Sequence, residues 1–304
     1  MRNKLVWAVA GLLVLAAGLL ALRWPDQPGG RQPTDGQPYR RIVSMAPSIT
    51  ETLFALGLGD RVVGVTEFCN SPPEARTLPK VGGYHNPNLE ALVALKPDLV
   101  VMLVEHEASM PALRELGLRR LAVCHQNVEG ILASITTLGD VLGRQKEAEQ
   151  MVADIQARIE RVQGKTAGLD RPRVMLAIRQ TAGSGRLEDV TVAAANGFFD
   201  KVIGLSGGRN ACGDLAAPFP VVSAEGLLWI NPQVIIDLVP PTLPTELAEK
   251  TILQDWEQVA DVEAVRSGRV YVLRDDFASI PGPRFILLVE KLARLVHPEI
   301  DWQR

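Results

Sequence analysis

Cysteine is scarce in this chain: Cys69, Cys124 and Cys212 are the only three, far apart, with no C-x-x-C among them. Neither a zinc knuckle nor a thioredoxin-type pair can be assembled from that spacing, and the odd count leaves at least one thiol unpaired. None precedes Cys69, so acylation of a lipoprotein cysteine near the N terminus is not expected. The sequence also lacks G-x-S-x-G, a Walker A loop and H-E-x-x-H, and Gly183-Ser184-Gly185 alone does not make a nucleotide site. Nothing here argues for an enzyme, and no cofactor is expected. A basic excess is missing too. The 32 Lys and Arg against 35 Asp and Glu leave a net charge of −3, which offers no face to a phosphate backbone and argues against nucleic acid as a partner. With 47% hydrophobic and 22% charged residues over 304 positions, the chain is not disordered and is long enough for two cores.

What is present is a repeat. Tyr84-His85-Asn86-Pro87-Asn88-Leu89-Glu90 and the stretch on to Val101 align without a gap on Phe219 to Ile236, a spacing of about 135 residues that is too long for a solenoid. Each copy opens on an aromatic residue, reaches a polar N-cap (Asn88, Ser223), and carries a glutamate (Glu90, Glu225) in the first helical turn, where the dipole favours negative charge. Each then meets a proline, so Lys96 and Asn231 should end their helices before a short buried strand. The pair predicts two similar α/β lobes.

Arg2 and Lys4 precede an apolar run, Leu5 to Leu22, that would span about 27 Å as a helix. It is long enough to cross a bilayer and lacks a convincing cleavage site near Arg23-Trp24, so residues 1–24 are expected to anchor the protein with its N terminus inside; a cleaved signal is the alternative. Either way the rest is exported. Residues 25–39, with four prolines and three glycines, read as a flexible linker. A strand over Arg41 to Met45 should precede a helix opened by a capping box, Ser48-Ile49-Thr50-Glu51, and closed at Gly57. Further strands are expected at Val62 to Val65, after Pro97 and at Leu121 to Cys124, with a helix after Val104 ending near Gly117. The first lobe is thus predicted over residues 40–142.

From Gln145 to about Val162, apolar residues step by three and four between charges, which predicts one long amphipathic helix joining the lobes within 143–170. The second lobe, 171–304, is expected to alternate again: strands at Val174 to Ile178 and Val270 to Leu273, and helices at about Val192 to Ile203, Leu243 to Val259 and Arg284 to Leu295. His85, His106 and His125 should fall in loops at the carboxyl ends of strands, where open α/β sheets bind ligands. Read for chemistry, Glu105-His106-Glu107 with His85 offers ligands for a first-row metal ion; read plainly, they are solvated loop residues.

Arg41-Ile42-Val43-Ser44-Met45-Ala46-Pro47-Ser48-Ile49-Thr50-Glu51, the Pro72-Pro73-Glu74-Ala75 loop, and Asn88-Leu89-Glu90 through Leu95-Lys96-Pro97-Asp98-Leu99-Val100 together resemble the periplasmic binding proteins for cobalamin and ferric siderophores. The likeness runs from about Arg41 to Pro298. It implies two parallel-sheet α/β lobes joined by one long helix, a metal chelate in the cleft, and delivery to the permease and ATPase of an ABC importer in the inner membrane. Matching by motif places Phe68, Tyr84 and Phe219 at ligand-binding aromatic positions, and Glu90 and Glu225 at the glutamates that dock on the permease. The chain departs from the B12-binding members at Leu103, where they carry a further tryptophan. Cobalamin, another corrinoid, a ferric siderophore and haem therefore all remain open, and a free metal-ion carrier using His85 and His106 is the alternative.

Overall fold

The computed structural model describes residues 39–179, 182–187, 189–239 and 249–303. The expected anchor, and the linker up to Tyr39, lie outside them, as does the start of the helix expected at Leu243. No helix among the described residues is long and apolar enough to cross a membrane.

The first sheet forms from short runs buried on both faces, as parallel strands covered by helices must be. Its strands are β1 (Ile42–Ser44), β2 (Val62–Val65), β3 (Leu99–Leu103) and β4 (Arg120–Val123). They run parallel in the order β2-β1-β3-β4. Between them lie α1 (Pro47–Ala55), α2 (Leu89–Ala94), α3 (Val104–Ser109) and α4 (Ala112–Glu115). The helix expected to run to Gly117 is therefore broken, at Met110-Pro111, because proline has no N–H to continue the ladder.

The capping box is also corrected. α1 starts two residues earlier than the box requires, with Pro47 in its first turn, Ala46 as N-cap and no side-chain cap. Proline pre-sets the helical φ and needs no cap for its missing N–H. Ser48 and Glu51 are thereby released for contacts across the molecule.

α5 (Val128–Leu142) turns at Gly143, whose φ of +71° is left-handed, into α6 (Gln145–Thr166). At 1.5 Å per residue this 22-residue helix is about 33 Å long. Ala148, Ile155 and Val162 make its buried stripe.

The second sheet contains β5 (Arg173–Ile178), β6 (Val190–Val192), β7 (Arg209–Asn210), β8 (Val221–Val222), β9 (Val234–Leu238) and β10 (Val270–Leu273). β10, β9, β5 and β7 are parallel, and β6 runs antiparallel to both β5 and β8. Its helices are α7 (Phe198–Leu205), α8 (Ala224–Ile230), α9 (Glu249–Trp256), α10 (Glu263–Arg266) and α11 (Phe285–Val296). Val192, expected to open a helix, ends a strand instead: Val190-Thr191-Val192 is β-branched, and Asn196 at φ +65° breaks the chain before the Gly197 N-cap.

The repeat holds in three dimensions. Asn88 Oδ1 accepts from Ala91 N at 3.0 Å and Ser223 Oγ from Gly226 N at 3.3 Å. Lys96 and Asn231, each before its proline, both turn left-handed, at φ +48° and +43°. A second likeness appears only in space. Arg41 donates to the carbonyls of Leu95 and Lys96, and Arg173 to those of Ile230 and Asn231, so the strand that opens each lobe closes the end of the repeated helix.

Two forked ion pairs tie the second sheet's final helix to the rest. Arg158 on α6 meets Glu290 at 2.8 and 2.9 Å. Arg284, at the N-cap of α11, meets the buried Glu51 of α1 at 2.6 and 3.0 Å. Nearby, a Cβ added to Gly282 would stand 3.1 Å from the Cα of Ser48, a contact tight enough that the neighbouring backbone would have to give by a few tenths of an ångström.

Candidate functional site

Parallel sheets gather their loops at the carboxyl ends of the strands, and there a cavity of about 290 Å³ opens. Ala46, Pro47 and Ser48 after β1, Leu103 at the end of β3 and His125 after β4 form its floor. Phe68 and Tyr84 supply aromatic walls, and Ser279, Ile280 and Pro281 close it from the second lobe. Phe68 is 58% exposed, a large apolar surface left in water. Tyr84 is half-buried; its hydroxyl donates to Glu105 Oε1 at 3.1 Å, and burial together with that carboxylate holds the phenol above its ordinary pKa.

Leu103 is buried and lines the cavity, so the departure from the B12-binding pattern falls on the site itself. Phe219 does not line it. That residue is 54% exposed in the second lobe, with its ring 6.4 Å from Phe199 in an edge contact.

His85 and His125 lie in loops, as expected, and His85 is exposed; His106 is neither in a loop nor solvated. His106 lies in the first turn of α3, fully buried, with Nδ1 accepting from Leu103 N at 3.4 Å, and desolvation lowers its pKa. Tyr84's ring makes edge contacts with both His85 and His106, at 4.7 and 4.4 Å between centroids. No group of three or more His, Cys, Asp or Glu able to hold a metal ion is found among the described residues.

His125 is buried between two serines. Its Nε2 is 2.7 Å from Ser134 Oγ, which itself donates to Ile131 O at 2.7 Å. Ser134 has one hydroxyl proton, already given away, so Nε2 carries the imidazole proton and donates to it. Nδ1 is then the acceptor for Ser48 Oγ, 2.8 Å away. Desolvation pushes this pKa down to about 4, so the ring is neutral at physiological pH. Sequence reasoning missed the contact because it assigned Ser48 to a helix cap.

At the end of β5 the second lobe has its own buried polar network, equally invisible in the sequence. Arg179 Nε lies 3.0 and 3.1 Å from the Asp237 carboxylate, and Nη1 is 2.8 Å from Asp255. Asp255 also accepts from the backbone N–H groups of Gly183 and Gly185, at 2.6 and 2.8 Å, and so fixes the loop that leaves β5. Trp256 donates to Asp237 at 2.9 Å and lies under the guanidinium. Burial opposes charge on Asp237 and raises its pKa, with Arg179 and Trp256 working against that rise. A larger cavity, about 870 Å³, sits elsewhere, between α1, the Pro73–Thr77 turn, α6 and the start of α11. It has no strand-end wall, and its Arg158 and Arg284 are already paired, so the smaller cavity is the candidate site.

Glu90 and Glu225 are both exposed, one on each lobe, in the first turns of α2 and α8.

Two α/β lobes, a single long helix between them and a cleft at the strand ends define a two-lobed binding protein. The chain belongs to the periplasmic binding protein family, whose model matches residues 42–277. Family membership places it outside the cytoplasm. It is 29% identical, over 86% of its length and 81% of the relative's, to an uncharacterized ABC transporter substrate-binding lipoprotein, YvrC, of Bacillus subtilis. Among solved structures, a periplasmic heme-binding protein from Pseudomonas aeruginosa superposes with a TM-score of 0.75 at 25% identity, covering 86% of this chain and 94% of that one. The periplasmic vitamin B12-binding protein BtuF of Vibrio cholerae gives 0.72 at 26%, covering 86% and 98%.

Proposed function

We propose that this chain is the substrate-binding protein of an ABC importer, capturing a metal chelate of the corrinoid, haem or ferric-siderophore class and delivering it to a permease. The observation that carries the reading is the cavity at the strand ends, where Phe68 and Tyr84 flank Leu103 and the second lobe supplies the remaining wall. Aromatic faces suit a flat macrocycle or chelate because they bury large area with few torsions to freeze. At about 290 Å³ the cavity is at the small end for such pockets, so it seats one face or edge of the chelate instead of enclosing it. Phe219, from the opposite lobe, would reach the part left outside.

Glu90 and Glu225 give one carboxylate to each lobe, which fits two-point docking on a two-fold symmetric permease. Residues 1–24 would hold the protein at the inner membrane. The test is the visible absorbance and mass spectrum of protein purified from its native host. A corrinoid, haem or ferric chelate at one equivalent is expected; a colourless protein carrying zinc or manganese would move the reading to a free metal-ion carrier.

A further inference from the structure

Resting on that docking reading, the surface around Glu225 carries a feature that its counterpart on the first lobe does not. Along α8, Glu225, Leu228 and Trp229 stand at i, i+3 and i+4 and share one face. Leu227 and Ile230 are buried on the other. Leu228 is 45% exposed and Trp229 80%, and Val221 on β8, just before the helix, is 63% exposed. The indole has no ring contact or hydrogen bond within the described residues. On α2 the matched positions are Glu90, Val93 and Ala94, all exposed, with Leu92 buried as Leu227 is. Both lobes therefore present a carboxylate with an apolar side chain one turn on, and only the second ends in a large aromatic.

An exposed apolar patch beside a charge marks a surface that meets something. An isologous pairing of two copies through α8 would bring Glu225 toward Glu225 if the helices ran parallel, or toward the negative C-terminal end of the partner helix if antiparallel, and an anionic bilayer would meet the same carboxylate with like charge. Neither occupant suits the patch. A partner with a basic group next to an apolar pocket does. We infer that Trp229 is the apolar anchor by which the second lobe seats on the permease, filling a pocket next to the basic residue that meets Glu225. Docking is then unequal: the first lobe is held chiefly by charge, the second by charge and a buried indole, the kind of residue that dominates binding energy in protein interfaces.

The experiment is binding of the full chain to its cognate permease and ATPase in phosphatidylcholine nanodiscs, at 0.05 and 0.5 M NaCl. Trp229→Ala should weaken binding about tenfold or more, mainly by faster dissociation and equally at both salts, while Trp229→Phe keeps most of the affinity. Glu90→Gln and Glu225→Gln should lose affinity chiefly at low salt. If the glutamate variants weaken and Trp229→Ala does not, the anchor is overturned and the docking reading stands. If none of the three weakens, both fall. Trp229-dependent binding to protein-free nanodiscs, or a Trp229-dependent dimer in sedimentation, would overturn the anchor in favour of lipid or a second copy.

Discussion

Removing the guanidinium that bridges the lobes should destabilise the protein by an amount that depends on pH. In Arg284→Met the aliphatic stem is kept, but Glu51, almost wholly buried, loses both hydrogen bonds of its fork. Breaking a buried pair on one side typically costs about 3 to 5 kcal/mol when the remaining charge is trapped. Glu51 has an escape, because burial already pushes its pKa up and it can take a proton instead. From an ordinary pKa of 4.5, that uptake costs about 3.4 kcal/mol at pH 7 and about 0.7 at pH 5, at about 1.36 kcal/mol per unit. In the variant the native state holds the proton up to a higher pH than the unfolded chain does. Native protein thus binds more protons above pH 4.5, and its stability falls as pH rises through that window. Urea unfolding should show a gap from wild type of under about 1 kcal/mol at pH 5, widening to about 3 at pH 7. Adding Glu51→Gln should flatten it. A gap equal at both pH values, or larger at pH 5, would refute the reasoning.

Tyr84→Ala and Phe219→Ala should each weaken chelate binding by about 1 to 3 kcal/mol without unfolding the protein, measured by titration with haemin and cyanocobalamin; unchanged affinity in both would assign them to packing. Glu90→Arg combined with Glu225→Arg should abolish uptake and leave chelate binding intact, and normal uptake by the folded double variant would defeat the docking role. His125 accepts a proton near pH 4 in the fold and near 6.5 when unfolded, so acidification between those values should remove about 3 kcal/mol of stability. His125→Gln should lack that acid slope. Scattering profiles with and without chelate should nearly superimpose, because a continuous α6 and the Arg284 and Arg158 pairs resist hinge motion; a large compaction would contradict this.

The repeat was legible because its signals are local: an N-cap, a first-turn acid and a proline lie within a dozen residues, and Asn88, Ser223, Lys96 and Asn231 all behave as that grammar requires. The long helix was legible for the same reason, although it runs past Val162 and through Gly164 to Thr166. Where a competing local signal was stronger, the reading failed. Pro47 moved the start of α1, Pro111 cut a helix in two, and the β-branched Val190-Thr191-Val192 became a strand.

The polar contacts around the cleft were out of reach for another reason. Ser48 and His125 are 77 residues apart, Arg179 and Asp255 76, and Glu51 and Arg284 233, so no window of sequence contains both partners. Of the site residues, Phe68 and Tyr84 came from the resemblance and share the cavity, Leu103 marked its point of departure, and Phe219 stands outside its wall.

Capture of a metal chelate between the lobes is tested most directly by titrating the full chain with cyanocobalamin, haemin and a ferric siderophore in parallel with Zn²⁺ and Mn²⁺. One chelate should saturate at a single equivalent with a Kd below about 1 μM, as expected for a capture protein, with Phe68→Ala weakening it by roughly tenfold or more. Micromolar or tighter binding of the free ions, with none of the chelates bound by folded protein, would contradict it.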